Sequence, residues 1–209
     1  MIHIATGNDI TLYKNELEQA YMLRHRVFVD EMKWEDLRKP DGREIDEFDD
    51  DHAVHMFSVK NGAVLGYQRM LPTTRPYLLT NILPELCETD FPNSPQVWEW
   101  TRYCVEKEHR ERGRVLSPIA NELLSGIVEW GIGNNVTSIV IEMEPIWILR
   151  LVQLHFKVTP LGIPKIVGSR DCLAVQAAFD QRTLRKLQEM SGGTASVLSQ
   201  EGKKLVFAG

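Results

Sequence analysis

An Asn61-Gly62 pair stands between two β-rich runs, residues 52–60 and 63–71, and no other feature of the chain constrains its fold as tightly. A two-residue hairpin turn of type I′ needs positive φ at both central positions, and Asn-Gly supplies it at the least steric cost. The chain therefore carries an antiparallel strand pair in its first third. Helical stripes flank that pair in sequence. Leu17, Ala20, Tyr21, Arg24, Val27 and Phe28 recur at helical spacing within residues 11 to about 31, and Leu116, Ile119, Ala120, Leu123, Leu124, Ile127 and Val128 repeat the pattern before Gly131-Ile-Gly-Asn134 ends it. Residues 72–96 are proline-rich and irregular, with a short helical piece over 78–87. Val97–Val105 and Ser138–Met143 read as strands, 148–155 as a helix, 174–179 as a late strand, and the chain from about Gln181 as a last helix with a frayed end. This order predicts a three-layer α/β/α architecture, a mixed sheet with helices on both faces. We expect one domain over residues 1–209, with an N-terminal lid of about 1–52 and a C-terminal tail of about 181–209.

Charge and composition remove several classes of function. With 24 Lys+Arg against 29 Asp+Glu the net charge is −5, and no basic block suggests nucleic acid or anionic lipid as a partner. The greasiest stretch, from Pro145 to Val152, is short and contains Arg150, so no membrane span is expected. The amino terminus lacks a basic and apolar leader, and three widely spaced cysteines suit a reducing compartment, which makes a cytoplasmic location the expectation. No metal-ligand spacing emerges around His52, His55 or the Asp49–Asp51 run, and no metal or cofactor is expected.

Two places carry chemistry. Arg24 lies on the apolar stripe of the first helix, and an ionised guanidinium turned inward requires an anionic or carbonyl partner. In Val97-Trp-Glu-Trp-Thr-Arg-Tyr-Cys-Val105, strict alternation puts Glu99 and Arg102 on opposite faces. A β-bulge between them would aim both into one cleft, while a structural Glu–Arg pair closing the sheet is the plainer alternative. Downstream, Arg110-x-x-Gly113 at a strand-to-helix junction resembles the pyrophosphate loop of GNAT-type N-acyltransferases, except that Val115 stands where those proteins have a small residue.

Arg24-x-x-x-Phe28, Trp34, Glu44-Ile-Asp46-Glu-Phe-Asp49, Gly66-Tyr-Gln-Arg69 and Trp98-Glu99-Trp-Thr-Arg102-Tyr, taken in this order over most of the first 110 residues, resemble the LuxI-type acyl-homoserine-lactone synthases. The resemblance implies a GNAT-related fold and an acyltransferase that joins an acyl thioester to S-adenosylmethionine. The amine attacks the thioester, the substrate carboxylate closes on its own γ-carbon, methylthioadenosine leaves, and the N-acyl-homoserine lactone formed is a quorum-sensing signal. S-adenosylmethionine and the thioester are substrates, so no cofactor is implied. An amine with a free pKa of about 8 needs a proton acceptor at neutral pH, and Glu99 is the candidate, with Arg102 beside it. Phe28 and Trp34 offer aromatic faces to the sulfonium and adenine. Arg69 or Arg102 would hold the carboxylate or else the acidic loop, in which Asp46 and Asp49 could pair with Arg24 and Arg69 and close the lid.

Trp100, Met143, Trp147, Leu151 and Phe156 are expected to line the acyl pocket. The donor is an acyl-carrier protein or an acyl-coenzyme A. A basic patch of Lys107, Arg110, Arg112, Arg114 and Arg150 would suit the first. The 40–46 stretch and the 160–164 segment resemble a sub-branch using acyl-coenzyme A, for which Arg110 and Gly113 would contact the phosphopantetheine arm. Two alternatives remain open at this point, a GNAT N-acetyltransferase acting on another amine and a non-catalytic ligand sensor of the same fold.

Overall fold

The computed structural model describes residues 1–7, 9–110 and 116–200. Among them, eight strands form a sheet: β1 (Ile2–Ala5), β2 (Val54–Lys60), β3 (Ala63–Pro72), β4 (Val97–Val105), β5 (Ser138–Met143), β6 (Lys157–Pro160), β7 (Lys165–Val167) and β8 (Arg170–Ala178). Their order is β1-β2-β3-β4-β5-β8-β6, with β7 pairing further along β8. The predicted hairpin is β2–β3, and its turn residues Asn61 and Gly62 have φ of 52° and 78°. All neighbours are antiparallel except β4 and β5, whose parallel ladder runs from Val97↔Ser138 to Glu99↔Val140 and stops there. Beyond that register the two strands part.

Helices cover both faces, as expected. On one face lie α3 (Pro118–Gly133), α4 (Ile148–Gln153) and α5 (Gln181–Ser191). Ser117 accepts the Ala120 N–H to start α3, while Pro118 takes a position that needs no donor. Apolar residues occur all round α3 because it is enclosed, with Leu123, Ile127 and Val128 against Ile4, Met56 and Met70 of the sheet and Asn121 Nδ2 donating to Leu187 O of α5. Gly66 of β3 allows that approach, since a Cβ there would lie 2.8 Å from the side chains of Ile119 and Leu123. On the other face, α1 (Lys14–Arg24) covers Phe57, Tyr67 and Cys104, and α2 (Leu78–Asn81) covers Leu71, Val97 and Val140. The two apolar clusters leave a strip between them.

Several boundaries differ from the sequence reading. The first helix is not uniform: a 3₁₀ turn at Ile10–Tyr13 precedes α1, and His25–Glu31 is π-helical. The wider turn, closed by the Met32 N–H on Val27 O, buries Val27, Phe28 and Val29 in succession, which 3.6-residue periodicity cannot do. The helix expected over 78–87 breaks into α2 and a 3₁₀ turn at Pro84–Leu86, because Pro84 cannot continue a helical ladder. β1, β6 and β7 are short strands that the sequence did not announce. The end of the chain is not frayed at residues 197–199: Ile2 donates to Val197 O and Ser199 donates to Ile2 O, each at 2.8 Å. No helix among the described residues is long and apolar enough to cross a membrane.

Candidate active site

The strip between the two clusters is polar and almost entirely buried. Arg24 enters it from α1, Arg69 from β3 and Arg102 from β4, while Glu44, Asp46 and Asp49 descend from the loop that crosses over them. Arg24 donates through Nε to Glu44 at 2.6 Å and grips both oxygens of Asp49 at 2.7 and 2.9 Å. Arg69 takes both oxygens of Asp46 at 2.6 and 3.0 Å, reaches Asp49 at 2.7 Å and donates through Nε to Thr101 Oγ1. Arg102 joins Glu44 at 3.1 and 3.2 Å to Asp46 at 2.7 Å. Three guanidiniums and three carboxylates thus close one neutral network. Burial alone would raise the carboxyl pKa values, but the arginines outweigh it, and Glu44, Asp46 and Asp49 all lie below their ordinary range, Asp49 furthest.

The inward Arg24 inferred from the helical stripe is fully buried, and the Asp46 and Asp49 partners expected for it and for Arg69 are in place; Arg24–Asp46 is the loosest contact, at 4.0 Å. Glu44, a residue of the same motif to which the sequence assigns no partner, ties Arg24 to Arg102. Its signal was the spacing Glu44-x-Asp46-x-x-Asp49, which puts three acids on one loop.

The bulge in β4 is also present. Tyr67 faces Cys104 and Arg69 faces Thr101, so two steps along β3 match three along β4. Arg102 absorbs the extra residue at φ 54°, a conformation costing a non-glycine residue about 1–3 kcal/mol and held here by its two carboxylates. The consequence is that Glu99, Thr101 and Arg102 share the face under the loop, while Trp98, Trp100 and Tyr103 turn toward α3. Arg102 also lies over the Phe28 ring, 5.7 Å from its centre, and Phe28 stacks on Trp34 at 5.2 Å. Phe28 is buried and Trp34 is 40% exposed, so the pair presents one open aromatic edge beside the network.

Glu99 is wholly buried, and its carboxylate accepts the backbone N–H groups of Leu78 at 2.8 Å and Leu79 at 2.7 Å, the first turn of α2. Burial pushes its pKa up to about 7, only partly offset by those N–H donors, by a hydrogen bond with Glu142 and by Arg69. A carboxyl poised near neutrality can take and return a proton at working pH. Glu142, on β5, was not singled out from the sequence. Its only signal was one acidic residue inside an otherwise apolar strand.

The residues expected around an acyl chain divide. Trp100, Met143, Leu151 and Phe156 all belong to or pack against the apolar cluster on the α3 face of the sheet, Met143 beyond the point where β4 and β5 part and Phe156 against Phe179 near the start of β5. Trp147 does not join them. It sits in a 3₁₀ turn opened by Pro145 and is 48% exposed. Arg110 donates to Val105 O at 2.8 Å and pairs with Glu31, so it braces the end of the π-helical segment. Gly113, Arg112, Arg114 and Val115 lie outside the described residues.

Compared with known proteins, residues 8–187 match the family model described as autoinducer synthase. The chain is 34% identical over 206 residues, 98% of its length and 91% of the relative's, to an isovaleryl-homoserine lactone synthase from Bradyrhizobium diazoefficiens. Its structure is similar to that of the CoA-dependent acyl-homoserine lactone synthase BjaI with SAM and isopentyl-CoA, at TM-score 0.89 and 32% identity over 95% of this chain and 92% of that one. It is also similar to the CoA-dependent synthase MesI, at TM-score 0.86 and 26% identity over 96% and 100%.

Proposed function

This chain belongs to the autoinducer synthase family and is an acyl-homoserine-lactone synthase, and from that premise we propose that it moves a short, branched acyl group from coenzyme A to the amine of S-adenosylmethionine. The observation that carries the choice of donor is the likeness, along nearly the whole chain, to a synthase named for isovaleryl-homoserine lactone and to one solved with isopentyl-CoA. The aromatic and aliphatic side chains of Trp100, Met143, Leu151 and Phe156 suit a compact apolar group.

The geometry supports a division of labour across the sheet. The thioester lies where β4 and β5 part, its acyl group toward the α3 face, and the amine approaches from the loop face beside Glu99. Glu99 accepts the amine proton. The neutral amine attacks the thioester carbon, and the oxyanion formed is met by main-chain N–H groups released where the strands separate. The C–S bond then breaks and the thiolate takes a second amine proton, leaving one on the amide nitrogen. Phe28 and Trp34 hold the sulfonium and adenine portion, where an aromatic face attracts a cation.

Arg24, Arg69, Arg102, Asp46 and Asp49 hold the crossing loop and so shape the S-adenosylmethionine side of the cleft. Arg110 and Gly113 remain the proposed contacts to the phosphopantetheine arm. The molecule works as one domain in the cytoplasm, with residues up to about 52 as the lid. Incubation with S-adenosylmethionine and isovaleryl-coenzyme A, straight-chain acyl-coenzyme A or acyl-carrier protein, followed by mass spectrometry, tests this. Isovaleryl-homoserine lactone and methylthioadenosine in equal amounts are expected with the first donor, and release only with acyl-carrier protein would overturn the donor assignment.

A further inference from the structure

Glu142 lies two residues beyond Val140 on β5, on the same face as Glu99, just past the register where β4 and β5 separate. Its carboxyl group hydrogen-bonds that of Glu99 and accepts only its own backbone N–H besides, a smaller influence than burial and Glu99, and its Oε1 is buried with no hydrogen-bond partner. Two carboxyl groups can hydrogen-bond only if one of them carries the proton. The surroundings decide which. Glu99 accepts two backbone N–H groups and has Arg69 nearby, and both favour its ionised form. Glu142 has Glu99 as its carboxyl neighbour, Arg102 as a weak cationic influence, Cys172 on β8 and Tyr77 ahead of α2; the last two are neutral acids raised by burial.

We propose that Glu142 is a positioning residue for acyl transfer, its carboxylic acid donating a hydrogen bond that keeps the Glu99 carboxylate ionised and aimed. Burial raises Glu142 well above the carboxyl range, in keeping with its role as donor. The inference rests on the reading of Glu99 as the proton acceptor. In that step the substrate ammonium gives one proton to Glu99, so the pair passes from one negative charge to none. The freed lone pair forms the C–N bond, the C–S bond breaks, the second amine proton leaves with the thiol, and Glu99 releases its proton to water. Without the Glu142 donor, Glu99 in the same burial would hold its proton at neutral pH and the ammonium would have no acceptor.

Two variants of the full chain test this, read by carboxyl-carbon NMR titration of Glu99 and by the pH profile of methylthioadenosine release. Glu142→Leu removes the donor, and the Glu99 midpoint and the acid limb of kcat/KM should both move up by about one to two pH units, the worth of one hydrogen bond to a charged acceptor. Glu142→Gln keeps an N–H that can donate, and both readouts should stay near wild type. An unmoved midpoint in Glu142→Leu overturns the proposal, as does a fall in Glu142→Gln, which would mean that the pair is two mutually repelling anions. Failure of the underlying reading looks different: Glu99→Gln would then turn over normally, while the NMR midpoint in Glu142→Leu still moved.

Discussion

Replacing Arg24 by Ala should expose how far the fold depends on the buried charge network. The guanidinium is fully buried, and its removal takes away three charge-assisted hydrogen bonds, one to Glu44 and two to Asp49. Breaking a buried ion pair from one side costs about 3–5 kcal/mol, because the surviving charge is left uncompensated. Here Asp49 keeps Arg69 and Glu44 keeps Arg102, which places the cost near the lower end, about 3 kcal/mol. For a chain of this size that lowers Tm by about 6–12 °C. The cost should also depend on pH with a definite sign. Asp49 and Glu44 have depressed folded pKa values, so their stabilisation is present above the unfolded carboxyl range and lost as pH falls through the folded values. Removing Arg24 raises those values, and the gap between wild type and variant should be narrower at pH 3 than at pH 7, the narrowing falling below about pH 4, where carboxylates begin to take protons. Differential scanning calorimetry at the two pH values measures both, with S-adenosylmethionine titrated in at pH 7, where weaker binding by the loosened loop is expected. A Tm within about 2 °C of wild type, or an equal gap at both pH values, would refute the assignment of the network as the clamp on the loop.

Glu99→Gln should lower turnover by about 10² or more while leaving the far-UV spectrum unchanged, since the remaining carbonyl oxygen still accepts an N–H from α2; methylthioadenosine release and circular dichroism check the two parts. Trp34→Ala should raise the KM for S-adenosylmethionine about tenfold with little effect on Tm, because the ring is 40% exposed and its stacking on Phe28 serves the open side of the site. Wild-type stability should peak on the weakly acidic side, at about pH 5. The depressed carboxyls of the loop lose their contribution below about pH 4, while Glu99, raised to about 7, binds more protons folded than unfolded and costs stability as pH climbs from about 4.5 to 7. A Tm that rises steadily to pH 8 would contradict this.

Periodicity found the main elements, and the quoted motifs found the charged network, because both are written in residue type and spacing. What stayed hidden was set by geometry that spacing does not encode. The π-helical turn at His25–Glu31 has no composition of its own; it exists because Val27, Phe28 and Val29 all have somewhere apolar to go. β1 has four residues and becomes a strand only through its neighbours, β2 on one side and residues 197–199 on the other. The β4 bulge was read from a conflict, two ionisable residues three apart in a strand that needed to share a face, and the structure resolves it at Arg102. Trp147 was named for its apolar ring, and its exposure depends on the turn that Pro145 opens, which hydrophobicity does not encode. Glu142 was illegible for a different reason: its meaning depends on the β4–β5 register, and nothing in the order of residues shows that it faces Glu99.

That register also explains how a carboxyl can keep a near-neutral pKa close to three arginines. A carboxyl near unopposed guanidiniums would ionise far below neutrality and hold its proton too weakly to serve an amine. In this strip every arginine is already met by a carboxylate of the crossing loop, so the field reaching Glu99 is small, and Arg69 acts on it less than burial, the two N–H groups or Glu142. Burial dominates instead, and it pushes the other way. The N–H groups of Leu78 and Leu79 and the Glu142 hydrogen bond then bring the group back toward neutrality. The acidic loop therefore does two things at once: it closes the amino-terminal segment over the sheet, and by neutralising Arg24, Arg69 and Arg102 it leaves the basicity of Glu99 to be set by the parting of β4 and β5.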